Sequence, residues 1–271
     1  MSSLVSMFRK FCQLCAVALA LTFVAQAPAA AQTSALDNVQ KNGVLRVGWA
    51  PWFPYAFKDP KTNQVSGIAV DLIKDIAAGM KVDVQWVEDG WGTMIAGLQA
   101  DKFDMLMPMA ITPPRAEAAT FSEPFMKTDL GLMVRTPDKG KYQSWKDLDK
   151  DGMSIAVAMG SNTALYAKQQ FKKARIVEMK GEPESVTSVI TGKVNAWAST
   201  YSTFSSSAPG RNQLSIVPGE PFAYSPVALV VRKGDTAMRD RLNEFIAQGK
   251  AKGTFLAIAK KHGMSEADVL Q

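Results

Sequence analysis

One arginine stands where a guanidinium could meet a carboxylate. Arg115 follows Met105 to Met109, a short apolar run bounded by Asp104 and by Pro113-Pro114. Such a run reads as a buried strand. Arg115 therefore falls just past a strand's C-terminal end, the edge at which open α/β sheets bind ligands. Its planar fork of donors suits a carboxylate. A surface arginine capping a turn fits the same spacing.

Other chemistries are limited by count. The chain has one histidine, His262, beside Lys260 and Lys261; it reads as a helix-end residue rather than a ligand or base. The two cysteines, Cys12 and Cys15, both lie in an N-terminal export signal. That signal has a basic start at Arg9 and Lys10, an apolar stretch from Phe11 to Val24, and small residues at Ala29-Ala30-Ala31. Cleavage there removes residues 1–31 and makes Gln32 the first mature residue. The apolar stretch is short against the roughly 20 residues of a membrane span. The mature chain then has no cysteine, so thiol chemistry and Cys-ligated metal are excluded. No cofactor and no metal are expected.

Removing 31 residues from 271 leaves 240, large for one core and sufficient for two lobes. The net charge of +6 falls to +4 when Arg9 and Lys10 are lost. With no basic cluster interleaved with aromatics, nucleic acid is not expected as a partner.

The elements that must place Arg115 alternate. Val44 to Val47 reads as a strand, followed by the aromatic loop Trp49 to Tyr55 and a polar turn at Asp59 to Asn63. Val70 to Met80 has helical apolar spacing, Val82 to Val87 alternates as a strand, and Trp91 to Ala100 is a second helix. With the strand before Arg115 this is a β-α-β-α-β order, which predicts a mostly parallel, doubly wound sheet. A second unit repeats the logic. Strands are predicted at 131–135, 154–158, 174–179 and 194–198, with helices at 163–171 and 184–191. Ser144 is placed to cap a short helix carrying Trp145 and Leu148, and Gly192 to follow a helix end. A last strand, 227–232, precedes closing helices at 236–249 and 254–262. The loop Ser205 to Asn212 is polar and expected to be mobile.

Four segments occur in order after the export signal. They are Gly67-Ile68-Ala69-Val70-Asp71-Leu72; Trp91 with Leu98 and Lys102-Phe103-Asp104; Ile111-Thr112-Pro113-Pro114-Arg115 with Phe121-Ser122-Glu123-Pro124-Phe125; and Gly160-Ser161-Asn162-Thr163. Together they resemble the family 3 extracellular solute-binding proteins, the periplasmic receptors of polar amino-acid ABC importers. The likeness covers nearly all of the mature chain, with Ala69 standing where an acid is usual. It implies an α/β fold of the two-lobe periplasmic-binding-protein type II, with a ligand cleft between lobes joined by two hinge strands. Lobe one would be residues 36–129 plus 227–271, and lobe two 130–226. Ligand binding would close the lobes. The implied protein is a periplasmic monomer, with an amino acid or related small carboxylate as ligand and an ABC permease complex in the inner membrane as partner.

The resemblance also implies a site. Arg115 matches the carboxylate-binding arginine, and Ala110 a position whose backbone N–H assists it. Asn162 matches the position where a helix N-terminus meets the same carboxylate, as its unpaired N–H groups and dipole would favour. Trp91 and Phe53 match aromatic residues that stack on the ligand; a core role is the alternative for either. The departures lie on the cationic side. Thr200 and Ala50 stand where acids are usual, and Pro108 replaces a serine. A buried ammonium without acceptors is costly. The expected ligand therefore lacks a free ammonium or carries a soft cation, held by aromatic faces among Trp49, Trp52, Phe53, Tyr55, Trp91, Trp197 and Tyr201. Glu88 and Asp89 are the alternative acids.

Three functions follow. The first is a transport receptor without enzymatic activity. The second is an enzyme: the chain also looks like cyclohexadienyl dehydratase, a relative that removes water and CO2 from a prephenate-type acid. That chemistry needs a general acid, and the matching stretch here, Tyr201, Ser202 and Thr203, holds no carboxyl group. The third is a periplasmic sensor or redox partner on the same fold.

Overall fold

The computed structural model describes residues 34–204 and 211–264. The export signal, both cysteines and most of the loop 205–212 lie outside the described residues. The chain opens with α1 (Ala35–Asn42), whose first turn is capped by the Ser34 hydroxyl accepting the Leu36 N–H at 3.1 Å. Strand β1 (Val44–Trp49) leads into the aromatic loop, and β2 (Phe57–Lys58) and β3 (Val65–Ser66) form a small hairpin around the expected polar turn. Helix α2 (Ile68–Met80) buries Val70, Ile73, Ile76 and Ala77, a 3.6-period stripe. It starts two residues before the periodic run. Its first N–H groups are taken by the aromatic loop: Ile68 donates to the Pro54 carbonyl at 3.1 Å and Ala69 to that of Tyr55 at 2.9 Å. Only glycine permits this approach at position 67, where φ is +130° and a Cβ would lie 2.4 Å from the Tyr55 oxygen. The helix start thus fixes the loop that carries Trp52 and Tyr55.

The first half continues through β4 (Asp83–Glu88), α3 (Met94–Gln99), β5 (Met105–Ala110), α4 (Pro113–Ala118) and β6 (Ala119–Phe121). A long strand, β7 (Met126–Arg135), carries the chain into the second half. There follow β8 (Ser154–Ala158), α5 (Asn162–Gln170), β9 (Arg175–Met179), α6 (Glu182–Ile190), β10 (Ala196–Thr200), α7 (Tyr201–Phe204) and β11 (Leu214–Ile216). Strand β12 (Ala223–Arg232) returns, and α8 (Thr236–Ala251) and α9 (Thr254–Lys261) close the described chain. Ser144 caps the short 3-10 turn Trp145–Leu148 in a capping box with Asp147.

One sheet runs through both halves in the order β4-β1-β5-β12-β7-β10-β8-β9, with β6 added on β12 and β11 on β7. It is parallel in β4-β1-β5 and in β10-β8-β9, as the alternating element order predicts. In the middle the expectation of a mostly parallel sheet needs correction. Strands β7 and β12 pass between the halves in opposite directions, so β5-β12, β12-β7 and β7-β10 are all antiparallel.

Each half has its own apolar interior. One core draws on residues 35–126 and 227–264. The second half splits by strand alternation: Leu130, Leu132 and Val134 of β7 enter one core and Met133 the other, as do Ala196 and Ala198 against Trp197 in β10. Among the described residues no helix is long and apolar enough to cross a membrane.

All six residues of β5 are buried, including Pro108. A proline gives no donor to a ladder and is tolerated at a bulge. The register supplies one: Met109 faces Ala228 and Leu106 faces Val230, so Met107 and Pro108 stand against Leu229 alone. The backbone of Leu229 turns to Ser122 instead. Its N–H donates to the Ser122 hydroxyl at 3.0 Å, and its carbonyl accepts the Ser122 N–H at 2.9 Å. Ser122→Ala should leave the buried Leu229 N–H without an acceptor and destabilise the protein by about 1–3 kcal/mol. A lowered denaturant midpoint with an unchanged slope is the expected result; an unchanged midpoint would mean the bulge is satisfied in another way.

Candidate functional site

The C-terminal ends of β8, β9 and β10 face one edge, and that edge meets the end of β5 and the aromatic loop. Ligands bind at such strand ends in open α/β sheets. A cavity of about 20 Å³ lies there, with Trp52, Trp91 and Ala110 on one side and Asn162, Glu182 and Thr200 on the other. The two halves touch around it. Thr203 Oγ1 donates to the Phe53 carbonyl at 2.8 Å, Tyr55 Oη donates to Ser202 Oγ at 3.1 Å, and Arg115 Nη2 donates to the Gly160 carbonyl at 3.1 Å.

Arg115 is the third residue of α4, behind Pro113 and Pro114 in the first turn, where a missing N–H costs nothing. It does not cap a surface turn: it is 7% exposed. Nη1 donates to the Ala110 carbonyl at 3.0 Å, and the guanidinium carbon lies 5.7 Å from the centre of the Trp91 ring. Burial lowers its pKa to about 10, with Tyr166 opposing. The side chain therefore stays charged at neutral pH. Among the described residues no carboxylate forms an ion pair with it.

Asn162 opens α5 after Ser161, whose hydroxyl accepts the Ala164 N–H at 3.0 Å and donates to the Ala158 carbonyl at 2.7 Å. The Asn162 amide nitrogen is buried with no hydrogen-bond partner among the described residues. Buried donors are rarely left so. This one lines the cavity at a helix N-terminus, where the dipole already favours negative charge. Trp52 stacks on Tyr55 at 3.7 Å and meets the edge of Trp91 at 5.8 Å. Arg115, Ala110, Asn162, Trp91 and Trp52 are thus brought together.

The other expected residues divide. Thr200 lines the cavity, but its hydroxyl is engaged with Ser202 at 2.9 Å and Thr203 at 2.8 Å. Phe53 and Tyr201 are not among the cavity-lining residues. The Phe53 ring packs on Phe57 at 4.7 Å, and only its carbonyl reaches across. Tyr201 packs on Phe204 and its hydroxyl donates to the Gly219 carbonyl at 3.3 Å. Trp49 and Trp197 are core residues. Neither alternative acid lines the cavity: Glu88 pairs with Lys58 at 2.6 Å, and Asp89 with Lys102 at 2.7 Å and with the Thr93 hydroxyl.

One acid does line it. Glu182 is the first residue of α6, and its carboxylate accepts the Ser199 hydroxyl at 2.7 Å. Helical periodicity begins only at Glu184, which hid Glu182 in a turn. The Gly181-Glu182-Pro183 sequence, with proline in a helix's first turn, carried the signal for an earlier start. Among the described residues no three His, Cys, Asp or Glu side chains gather as metal ligands.

The family model of the bacterial extracellular solute-binding proteins, family 3, matches residues 45–265. A probable amino-acid ABC transporter periplasmic-binding protein of Sinorhizobium fredii is 24% identical over 265 residues, covering 93% of this chain and 87% of the relative. Cyclohexadienyl dehydratase of Pseudomonas aeruginosa is 26% identical over 180 residues, covering 65% of this chain and 66% of the enzyme. Among solved structures, an ancestral amino acid-binding protein, a precursor of cyclohexadienyl dehydratase, superposes with a TM-score of 0.77. It is 30% identical and the match covers 84% of this chain and 99% of that one.

A glycine stands where the two halves approach each other. A Cβ on Gly160 would lie 2.5 Å from the backbone of Gly92 across the cleft. Gly160 also has φ +73°, so any side chain there is strained; Gly152, at φ +83° with nothing within 4 Å, isolates that strain. Gly160→Ala should hold the halves apart and Gly152→Ala should not. Small-angle X-ray scattering checks this: the radius of gyration is expected to rise only for Gly160→Ala, with similar losses of melting temperature in both.

Proposed function

Because the chain belongs to the bacterial extracellular solute-binding proteins, family 3, we propose that it is the substrate-binding protein of an ABC importer. It captures an amino acid or related small carboxylate in the periplasm and delivers it to a membrane permease. In this reading residues 1–31 are a cleaved signal, residues 36–129 plus 227–271 and residues 130–226 are the two lobes, and the monomer performs no chemistry on its ligand. The observation that carries it is the buried, charged Arg115 without a carboxylate partner, beside the unpartnered amide of Asn162. A desolvated cation and an unsatisfied donor at one wall call for an anion.

A thermal-shift screen of amino acids and small carboxylates tests the reading. A ligand at about 100 times its Kd stabilises by ~2.7 kcal/mol. Arg115→Ala should abolish binding of the hit while the fold persists, since losing a charge-assisted pair costs about 1.5–3 kcal/mol. Calorimetry giving an unchanged Kd would remove Arg115 from the site.

Glu182 supports a second reading. It is a carboxyl group in the cleft, which a dehydratase of prephenate-type acids requires as general acid. The receptor reading expects no turnover of prephenate by the purified protein. Product formation that is lost in Glu182→Gln would establish the enzyme instead.

A further inference from the structure

We propose that four side-chain hydroxyls form a latch that brings the two halves together with no ligand between them. The latch runs from Tyr55 through Ser202, Thr200 and Thr203 to the Phe53 carbonyl. The inference goes beyond the receptor reading and rests on the two-lobe fold alone.

The links follow one another without a gap. Tyr55 Oη lies 3.1 Å from Ser202 Oγ, and Ser202 Oγ 2.9 Å from Thr200 Oγ1. Thr200 Oγ1 lies 2.8 Å from Thr203 Oγ1, which lies 2.8 Å from the Phe53 oxygen. Each hydroxyl has one hydrogen to donate, and that count fixes the direction. A carbonyl only accepts, so Thr203 donates to Phe53. Thr200 must then donate to Thr203, and Ser202 to Thr200. Tyr55 completes the chain by donating to Ser202. The chain thus leaves the aromatic loop at Tyr55, passes through the second half, and returns to the same loop at Phe53. Hydrogen bonds aligned head to tail polarise and strengthen one another.

Both ends are firmly placed. Strand β10 ends at Thr200, and α7 carries Ser202 and Thr203 directly after it. The aromatic loop is anchored in the first half: the Pro54 and Tyr55 carbonyls accept the first N–H groups of α2, and the Tyr55 ring stacks on Trp52. The chain therefore ties half to half. Tyr55, Thr200 and Thr203 are buried, so water does not compete for these bonds where the halves meet. A carboxylate at position 200 could accept but not donate, and would cut the chain in the middle. The hydroxyl of Thr200 is what continuity requires.

The plain alternative is a local cap. The Thr200 hydroxyl also accepts the Thr203 N–H at 3.3 Å, at the start of α7. That bond accounts for Thr200 alone. It does not call for the links to Phe53 and Tyr55, which lie 150 and 147 residues away along the chain from their partners. With the latch made, the ligand-free protein rests with its halves in contact, and a ligand enters during brief openings.

Small-angle X-ray scattering on protein freed of bound molecules tests this. The full chain is unfolded in guanidinium chloride, dialysed and refolded. Tyr55→Phe and Thr203→Val should each raise the radius of gyration above that of the wild type, with circular dichroism unchanged. Tyr201→Phe should not, since the hydroxyl it removes bonds Gly219 within the second half. Ser202→Ala removes two links at once and decides the matter if Thr203→Val does not fold. Equal radii in the wild type and the latch variants would overturn the proposal. A similar rise in Tyr201→Phe would overturn it too, because loss of any such hydroxyl would then loosen the halves. Neither result touches the receptor reading, which the thermal-shift screen tests separately.

Discussion

A positive charge held out of water is the constraint around which the centre of this molecule is arranged. Taking a guanidinium into a low-dielectric site costs several kcal/mol unless its donors are met. Arg115 meets two of them on carbonyl oxygens, Ala110 and Gly160, and lies against the face of Trp91. Carbonyls offset part of the cost, but they carry no charge, and burial lowers the guanidinium's pKa. Several local features serve this placement. Strand β5 ends at Ala110, Pro113 and Pro114 start a helix without wasting donors, and the third helical position turns the side chain inward.

A second constraint is the continuity of the sheet. The halves have separate cores, yet β7 and β12 are shared and paired from Leu130–Ala223 to Met126–Val227. Any relative motion of the halves would then be absorbed by bending two paired strands. The hydrogen bonds described across the cleft come from the side chains of Thr203, Tyr55 and Arg115.

The long elements were legible because each carries enough turns to show a period. α2, α5 and α8 match their periodic runs to within a few residues. The hairpin β2–β3, with two residues per strand, carries no period. Strands β7 and β12 begin several residues before the apolar runs at Gly131 and Val227. Their first residues include Lys127, Asp129, Tyr224 and Ser225, which look like loop but form strands because the two segments pair with each other. The place of Arg115 past the end of β5 was legible from a strand followed by a break. That Phe53 stands outside the cavity lining was not legible, since the direction of a side chain on an irregular loop depends on backbone contacts such as those of Gly67 with Pro54 and Tyr55. Glu182 lies outside the periodic run of its helix, which begins two residues later at Glu184.

Gly160 joins the two constraints. Its carbonyl accepts from Arg115, and a Cβ on it would lie 2.5 Å from the backbone of Gly92. If the halves move apart, the buried charge would lose that acceptor. The hydrogen bonds described across the cleft each contribute about 0.5–1.5 kcal/mol net. Such a sum is small enough for a ligand's differential affinity to decide the balance. A ligand anion reaching Arg115 would add to it most in the closed form, where water is excluded and the electrostatic attraction is least screened. Charge recognition and closure would then draw on the same free energy.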